Sequence, residues 1–178
     1  RFMSKMRGIR YIINFKKRLE NERIDIKIPD TEEIINVSPG NHNIIEKIIA
    51  EEIVYLDCNN PTLLYLGDTE DKLKYVNDSL SKKLELNIDI HNKMPDLVFV
   101  NEENKTIYIY EAIASSGQID SLRKKEIINI FKNCDYNLKM ASVFLEQDKY
   151  REYCNQIAPN TTVYIIKTNM KIEYNNFK

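Results

Sequence analysis

The sequence predicts an α/β fold with a mixed central β-sheet flanked by helices on both faces. Two neighbouring runs, Leu97–Val100 and Thr106–Ile113, are rich in β-branched and aromatic residues and, apart from one acid, apolar on both faces, which is typical of strands buried inside a sheet. Residues 44–56 carry apolar side chains at the 3.6-residue period of a helix that packs on a core. Elsewhere helical and strand-like segments alternate, as they do in sheets packed between helices.

Turn-forming residues separate the expected elements. The two β-rich runs flank residues 101–104 and are expected to form a hairpin. From the N-terminus we expect a basic helix over residues 1–20, a linker over 21–37, a helix from a cap at Ser38 or Asn41 to Leu56, a strand over 63–66, a helix around 79–86, the hairpin, a loop over 115–118, a helix from a cap at Asp120 or Ser121 to Phe131, a strand over 141–145, a helix over 149–157 and a last buried strand over 163–166. This order predicts that the hairpin occupies the middle of the sheet. Its two acids, Asp96 and Glu111, are expected to be exposed at the rim.

The composition is that of one globular domain with a short appendage. The chain has 178 residues, of which 43% are hydrophobic and 30% charged, so it is large enough to bury a core. Neither a secretory signal nor an apolar run long enough to span a membrane is visible. We therefore expect no membrane association.

The reactive side chains narrow the kinds of site expected. The three cysteines are widely spaced without a Cys-x-x-Cys pair, which indicates reduced thiols in a cytoplasmic protein and argues against a zinc knuckle. The two histidines are too few for a histidine-rich centre, so any metal is expected to be held by oxygen. Basic residues are concentrated before Glu20 and at Arg123–Lys125. Each cluster is either a phosphate-binding surface or an ordinary solvated face.

The hairpin carries a pair of acids. If its turn centres on Glu103 and Asn104, residues whose numbers sum to 207 face each other, so Asp96 lies opposite Glu111. Side chains opposed in this way are about 5 Å apart at Cβ, where two carboxylates repel by roughly 3 kcal/mol at an effective dielectric constant of about 20. A cation such as Mg²⁺ relieves this repulsion. The alternative is an edge hairpin with solvated acids, and a register slip of one residue separates the pair.

Several blocks of sequence surround these acids. The Pro95-Asp96 pair followed by Glu111 resembles the PD-(D/E)XK nuclease motif. In chain order the blocks are Ser38-Pro39-Gly40-x-His42-Asn43, residues 64–69 (LYLGDT), His91-x-Lys93-Met94-Pro95-Asp96-Leu97-Val98, Glu111-Ala112-Ile113-x-Ser115-Ser116-Gly117, and the weaker residues 141–144 (ASVF) with 157–165. Together they resemble the BsuBI/PstI restriction endonuclease family over roughly residues 38–170.

The resemblance implies the catalytic domain of a type II restriction endonuclease with a restriction-endonuclease-like fold. Such enzymes hydrolyse phosphodiester bonds of double-stranded DNA with Mg²⁺ at a palindrome, which is CTGCAG for members of this family; the sequence does not show whether this chain keeps that specificity. They act as homodimers in the cytoplasm and are paired with a cognate DNA methyltransferase in a restriction-modification system. The family carries a helical DNA-binding region ahead of this domain. We therefore divide the chain into 1–37, a basic helix and linker that would be the remnant of that region, and 38–178, the nuclease domain.

The resemblance also implies roles for particular residues. Asp96 and Glu111 are the catalytic acids, and they hold Mg²⁺ with the backbone carbonyl of Ala112. Glu51 or Glu52, on the preceding helix, either completes the metal shell or is an ordinary surface acid. Where the general motif has a lysine, this chain has Ile113, so the activating cation is unassigned, and the candidates are Lys93, Arg123 and Lys124.

Further polar residues are candidates for DNA contact, each with an ordinary structural role as the alternative. Gln118 is notable because a glutamine side chain can bond both donor and acceptor edges of adenine. The full set is Asp68, Thr69, His42, His91, Ser116, Gln118, Arg123 and Lys124.

Two other functions fit the same residues. A DNA-binding module that keeps the fold without cleaving is favoured by Ile113 in place of lysine. A repair or junction nuclease on the same fold would cut branched or damaged DNA and would not cut at a fixed palindrome.

Overall fold

The computed structural model describes residues 22–88 and 93–175. The strands are β1 (Ile24–Lys27), β2 (Ile34–Val37), β3 (Thr62–Leu66), β4 (Tyr75–Val76), β5 (Leu97–Asn101), β6 (Thr106–Ile113), β7 (Asn137–Phe144), β8 (Thr161–Ile165) and β9 (Met170–Tyr174). The helices are α1 (Asn41–Ile48), which continues as a π-helix (Ile49–Ile53) and as α2 (Val54–Asp57), then α3 (Asp78–Lys83), α4 (Ser121–Ile130), α5 (Gln147–Tyr153) and a 3₁₀ turn (Cys154–Gln156). The basic helix expected over 1–20 and His91 lie outside the described residues.

Strands β3 to β9 form one sheet in the order β4-β3-β5-β6-β7-β8-β9. β6, β7 and β8 are parallel, and the remaining pairs are antiparallel. The β5–β6 hairpin occupies the middle of this mixed sheet, as predicted. Both edge strands were missed, because β4 has two residues and β9 alternates exposed with half-buried side chains instead of forming an apolar run.

Both faces of the sheet are covered, which confirms the predicted α/β architecture. Phe99, Tyr108 and Tyr110 point to one face, where they share a core with the buried side of α1 and the π-helix. Val98 and Ile109 point to the other face, towards α3 and α4. Alternation along each strand therefore divides the apolar side chains between two cores.

The prediction of a linker over residues 21–37 is wrong. β1 and β2 form an antiparallel hairpin with Ile24 opposite Val37. Ile24 and Ile26 are buried in the same core as α1, whereas Asp25 and Lys27, which alternate with them, are exposed. This alternation is the period of a strand, and it ties the segment to the domain.

The α1 helix begins differently from the prediction. Its N-cap is Gly40, with a φ of 138°, and no side chain caps it, so neither Ser38 nor Asn41 has that role. The positive φ favours glycine at this position. Ser38 instead hydrogen-bonds to Asp68 at the end of β3. By contrast, Asp120 caps α4 as expected, accepting a hydrogen bond from the amide of Arg123.

Among the described residues, no helix has the length and apolar composition needed to cross a membrane.

Candidate functional site

The hairpin register brings Asp96 and Glu111 together. Leu97 pairs with Tyr110, so the next pair outward is Asp96 and Glu111. The amide of Asp96 is 3.4 Å from Glu111 Oε2, and the amide of Ala112 donates to Asp96 Oδ2 at 2.7 Å. A backbone amide beside each acid therefore contacts the carboxylate on the neighbouring strand.

The first turns of α1 add two more groups to this edge of the sheet. His42 Nε2 lies 3.5 Å from Asp96 Oδ1 and 3.3 Å from Glu46 Oε1. His42 and Glu46 are four residues apart, so their side chains lie on the same face of the helix. Three chain segments thus converge on one point.

Glu46 is completely buried, and neither of its carboxylate oxygens accepts a well-directed hydrogen bond from any described residue. The contact with His42 is an ion-pair distance only. Burial raises the pKa of Glu46 to about 8, and the charges of Asp96 and Asp68 add to this effect while His42 opposes it. A buried acid without hydrogen-bond partners is costly, which points to a group that these oxygens are placed to bind.

The charge of His42 is set by the same acids. Burial by itself lowers the pKa of the imidazole, but the interactions with Asp96 and Glu46 outweigh burial and raise the pKa to about 10. At neutral pH His42 is therefore a cation between the Asp96 carboxylate and the buried Glu46 carboxyl group.

Glu111 is buried, so the prediction that both acids are exposed at the rim is wrong for this one. Burial raises the pKa of the Glu111 carboxyl well above its usual range, and Asp96 raises it further. Arg123 on α4 opposes this shift, because its guanidinium contacts Glu111 Oε1 through Nε and Nη2, each at 2.7 Å. Arg123 is thus the candidate cation that the structure brings to the acids.

The expected metal ligand Glu51 lies elsewhere. Its carboxylate accepts hydrogen bonds from Lys47 at 2.6 Å and from the amide of Lys27 at 3.0 Å. Glu52 is half-buried, and neither acid belongs to the cluster around Asp96. Sequence reasoning missed Glu46, although an acid among the buried isoleucines of α1 was a usable signal.

The other two candidate cations do not reach the acids. The Nζ atom of Lys93 is 3.7 Å from Glu126, and its side chain is 79% exposed. Lys124 donates to the backbone carbonyl of Pro159.

The carboxylate of Asp68 connects the segment after β3 to Ser38 and Asn43 at the start of α1, so it is not available to contact DNA. It is buried and accepts hydrogen bonds from the Ser38 amide and hydroxyl and from Asn43. Burial by itself raises the pKa of Asp68, but these hydrogen bonds outweigh burial and lower the pKa to about 2. Thr69 is exposed, and its hydroxyl lies 2.8 Å from that of Ser38.

The loop after β6 contains one exposed and one buried candidate. Ser116 is exposed, whereas the side chain of Gln118 is buried and donates to Gln156 at 2.8 Å. Gln118 is therefore not free to read a base in this conformation. A cavity of about 420 Å³ adjoins the acids, and its lining includes Asp96, Glu111, Ser116, Gln118, Arg123 and Tyr153.

The acid cluster fits a divalent cation. One potential ligand atom from each of His42, Glu46 and Asp96 lies within 4.8 Å of the other two. The two acids offer oxygens, whereas His42 Nε2 is a ligand only when it has lost its proton. Carboxylate oxygens are the ligands that Mg²⁺ prefers, and both Glu46 oxygens lack hydrogen-bond partners among the described residues. Glu111 Oε2, which lies 3.4 Å from the Asp96 amide, is a further candidate oxygen.

Comparison with known proteins identifies relatives. The chain is 29% identical to the type II restriction enzyme BsuBI of Bacillus subtilis over 151 residues, which cover 85% of this chain and 48% of that protein. It is 21% identical to the type II restriction enzyme AplI of Arthrospira platensis over 173 residues, covering 93% and 52%. The chain thus spans about half the length of these curated relatives.

The fold has a solved counterpart. The SdaI restriction endonuclease matches with a TM-score of 0.78 and 24% sequence identity, over 90% of this chain and 50% of the other. The model of the BsuBI/PstI restriction endonuclease domain matches residues 24–176, a range that includes the β1–β2 hairpin and every residue of the acid cluster. The chain therefore belongs to the BsuBI/PstI restriction endonuclease domain family.

Proposed function

We propose that this chain is the catalytic domain of a type II restriction endonuclease that hydrolyses double-stranded DNA with Mg²⁺. The observation that carries the proposal is the convergence of Asp96, Glu111 and the buried carboxyl group of Glu46 at one edge of the sheet. The Glu46 oxygens contact His42 but accept no well-directed hydrogen bond from the described residues. Membership of the family supports the reaction type.

Asp96 and Glu46 would hold the ion, together with Glu111 Oε2 and the carbonyl of Ala112. When bound, the ion supplies Lewis-acid chemistry, which stabilises charge on the phosphate and promotes ionisation of the attacking water. The protein supplies fixed positions for the acids. The Ala112 amide orients Asp96, and Arg123 orients Glu111. Such preorganised charge is effective because nothing has to reorient during the reaction.

His42 holds a proton at Nε2 between Asp96 and Glu46. Its positive charge balances part of the negative charge of the cluster before an ion is bound. Our proposed set of DNA contacts consists of His42, the exposed residues Thr69 and Ser116, the basic segment and His91. The side chain of His42 is 26% exposed, so a phosphate can approach it.

The finer features of the proposal come from the family resemblance. They are recognition of the palindrome CTGCAG, action as a homodimer, a cognate DNA methyltransferase and a cytoplasmic location. The division of the chain is also part of the proposal, but its boundary lies before the β1–β2 hairpin instead of at residue 38, because that hairpin packs in the core of the domain. The basic segment ahead of the hairpin would belong to a DNA-binding region.

Digestion of plasmid DNA tests the activity. We expect the 178-residue chain to cut a plasmid that contains CTGCAG when Mg²⁺ is present and not when EDTA is added. Asp96→Asn is expected to abolish cleavage, whereas Glu103→Gln, an exposed acid in the turn of the same hairpin, is expected to cut like the wild type. Sequencing the fragment ends then gives the site and the stagger.

A DNA-binding assay and digestion of branched or damaged DNA, run beside the plasmid digestion, separate the alternatives. Binding without cleavage in Mg²⁺ or Mn²⁺ would support a non-cleaving module. Cutting of branched or damaged DNA, with intact plasmid left uncut, would support a repair or junction nuclease. Either result contradicts the proposed function.

A further inference from the structure

Arg123 makes an unusually complete set of contacts beside the acids. Its Nε and Nη2 atoms are each 2.7 Å from Glu111 Oε1. Nη1 donates to the carbonyl of Lys93 at 2.9 Å and to Glu126 Oε2 at 3.2 Å. Nη2 also donates to the carbonyl of Met94 at 3.2 Å.

These five contacts equal the number of N–H groups on a guanidinium. The Arg123 side chain is only 18% exposed. Four of the contacts are hydrogen bonds, and the fifth, from Nη2 to Glu111 Oε1, is an ion-pair contact. A DNA phosphate or an attacking water would therefore have to compete with contacts that the guanidinium already makes within the protein. A lysine, with three donors at one point, cannot reproduce this planar fork.

The contacts connect both strands that carry the acids. Glu111 is on β6, whereas Lys93 and Met94 lead through Pro95 into Asp96 at the start of β5. Arg123 comes from the first turn of α4, whose cap Asp120 accepts a hydrogen bond from the Arg123 amide at 2.7 Å. The cap at the start of α4 thus holds the backbone of Arg123 in place. The guanidinium then connects the segment before β5 to the Glu111 side chain on β6.

We infer that Arg123 is a positioning residue, which sets the separation of Asp96 and Glu111 by tying the lead-in to β5 to the carboxylate on β6. It does not replace the missing motif lysine at the reacting atoms. The purpose of this positioning rests on the proposed function: the two acids are held ready for a divalent ion.

Amide hydrogen exchange in EDTA tests whether Arg123 connects the two strands, and it needs neither metal nor DNA. In Arg123→Met, amides in peptides covering residues 93–101 and 106–113 are expected to exchange at least about tenfold faster than in the wild type, because local opening is easier. Arg123→Lys is expected to be intermediate, since it keeps the charge beside Glu111 but cannot bridge both carbonyls. Lys132→Met, an exposed lysine just after α4, is the matched control and should not change the exchange.

Calorimetric titration with Ca²⁺ tests the consequence for the ion. We expect Arg123→Met to weaken binding about tenfold. Combined with Glu111→Gln, the two losses should be less than additive, because residues that act through one another couple in a double-mutant cycle.

Unchanged exchange in both peptides of Arg123→Met would overturn the inference. So would an Arg123→Lys variant that cuts DNA at the wild-type rate, because this result would make the residue a substitute for the motif lysine. If the wild type neither binds Ca²⁺ nor cuts DNA, the proposed function fails, and the exchange rates in EDTA still decide whether Arg123 ties the two strands.

Discussion

The amide of Ala112 donates a 2.7 Å hydrogen bond to Asp96 Oδ2. This bond runs from the strand that carries Glu111 to the acid at the start of the neighbouring strand, and the Asp96 amide in turn lies 3.4 Å from Glu111 Oε2. Each acid is therefore connected to the main chain of the strand that carries the other. A carboxylate held by a backbone amide needs little reorganisation when it binds an ion.

Asp96→Asn is expected to reduce Mg²⁺-dependent cleavage by at least about 10²-fold, the effect typical of removing one preorganised electrostatic group. The amide keeps one oxygen for the Ala112 hydrogen bond, so the fold should persist. Single-turnover cleavage, with circular dichroism as the check on folding, measures this. Cleavage at more than a tenth of the wild-type rate would exclude Asp96 from the reaction.

Two matched variants show which glutamate of the first helical segment, Glu46 or Glu51, binds the metal ion. Glu46→Gln is expected to weaken the affinity for a divalent ion by about tenfold or more, whereas Glu51→Gln should leave it unchanged, because Glu51 is paired with Lys47 and the Lys27 amide. Titration calorimetry with Ca²⁺ or Mg²⁺ measures both, and the expected tenfold corresponds to about 1.4 kcal/mol. The opposite order of effects would restore Glu51 as the ligand.

Stability without metal should depend on pH through Glu46 and His42. Both pKa values are raised by folding, to about 8 from 4.5 for Glu46 and to about 10 from 6.5 for His42. The folded protein therefore binds more protons than the unfolded chain between these limits, and the free energy of unfolding should fall as the pH rises from about 4.5 to about 10. Urea unfolding in EDTA at several pH values measures the slope.

A His42→Asn variant provides the control for this slope. Between pH 6.5 and 10 its stability should depend less on pH than that of the wild type, because the imidazole no longer contributes. An equally steep dependence in both proteins would show that His42 does not hold the proton.

Asp68 should be a structural residue with an opposite pH dependence. Its pKa is lowered from 3.8 to about 2, so its contribution to stability is present above pH 3.8 and is lost as the pH falls through 2. Asp68→Ala removes the acceptor for Ser38 and Asn43 and is expected to lower the free energy of unfolding by about 3 kcal/mol.

Urea unfolding at neutral pH measures the effect of Asp68→Ala, and Asp71→Ala is a suitable comparison because Asp71 is an exposed acid in the same turn. A loss of DNA binding in Asp68→Ala with unchanged stability would return this residue to the DNA-contacting set.

The sequence determined the features that depend on neighbours in the chain. A short turn fixes the register of the strands that it joins, so the opposition of Asp96 and Glu111 could be predicted from the numbering alone. The apolar period of α1 and the β-rich runs likewise reported which faces are buried, and the family blocks lie along the same segments.

Which distant groups meet those acids depends on how the helices pack against the sheet. Glu46 contributes because α1 packs across the sheet and brings its first turns to Asp96, fifty positions along the chain. Arg123 reaches Glu111 because of where α4 starts, and Asp68 is buried because Ser38 folds back onto it. Local pattern carries no information on such contacts, since they arise from the packing of elements whose separation in sequence is large.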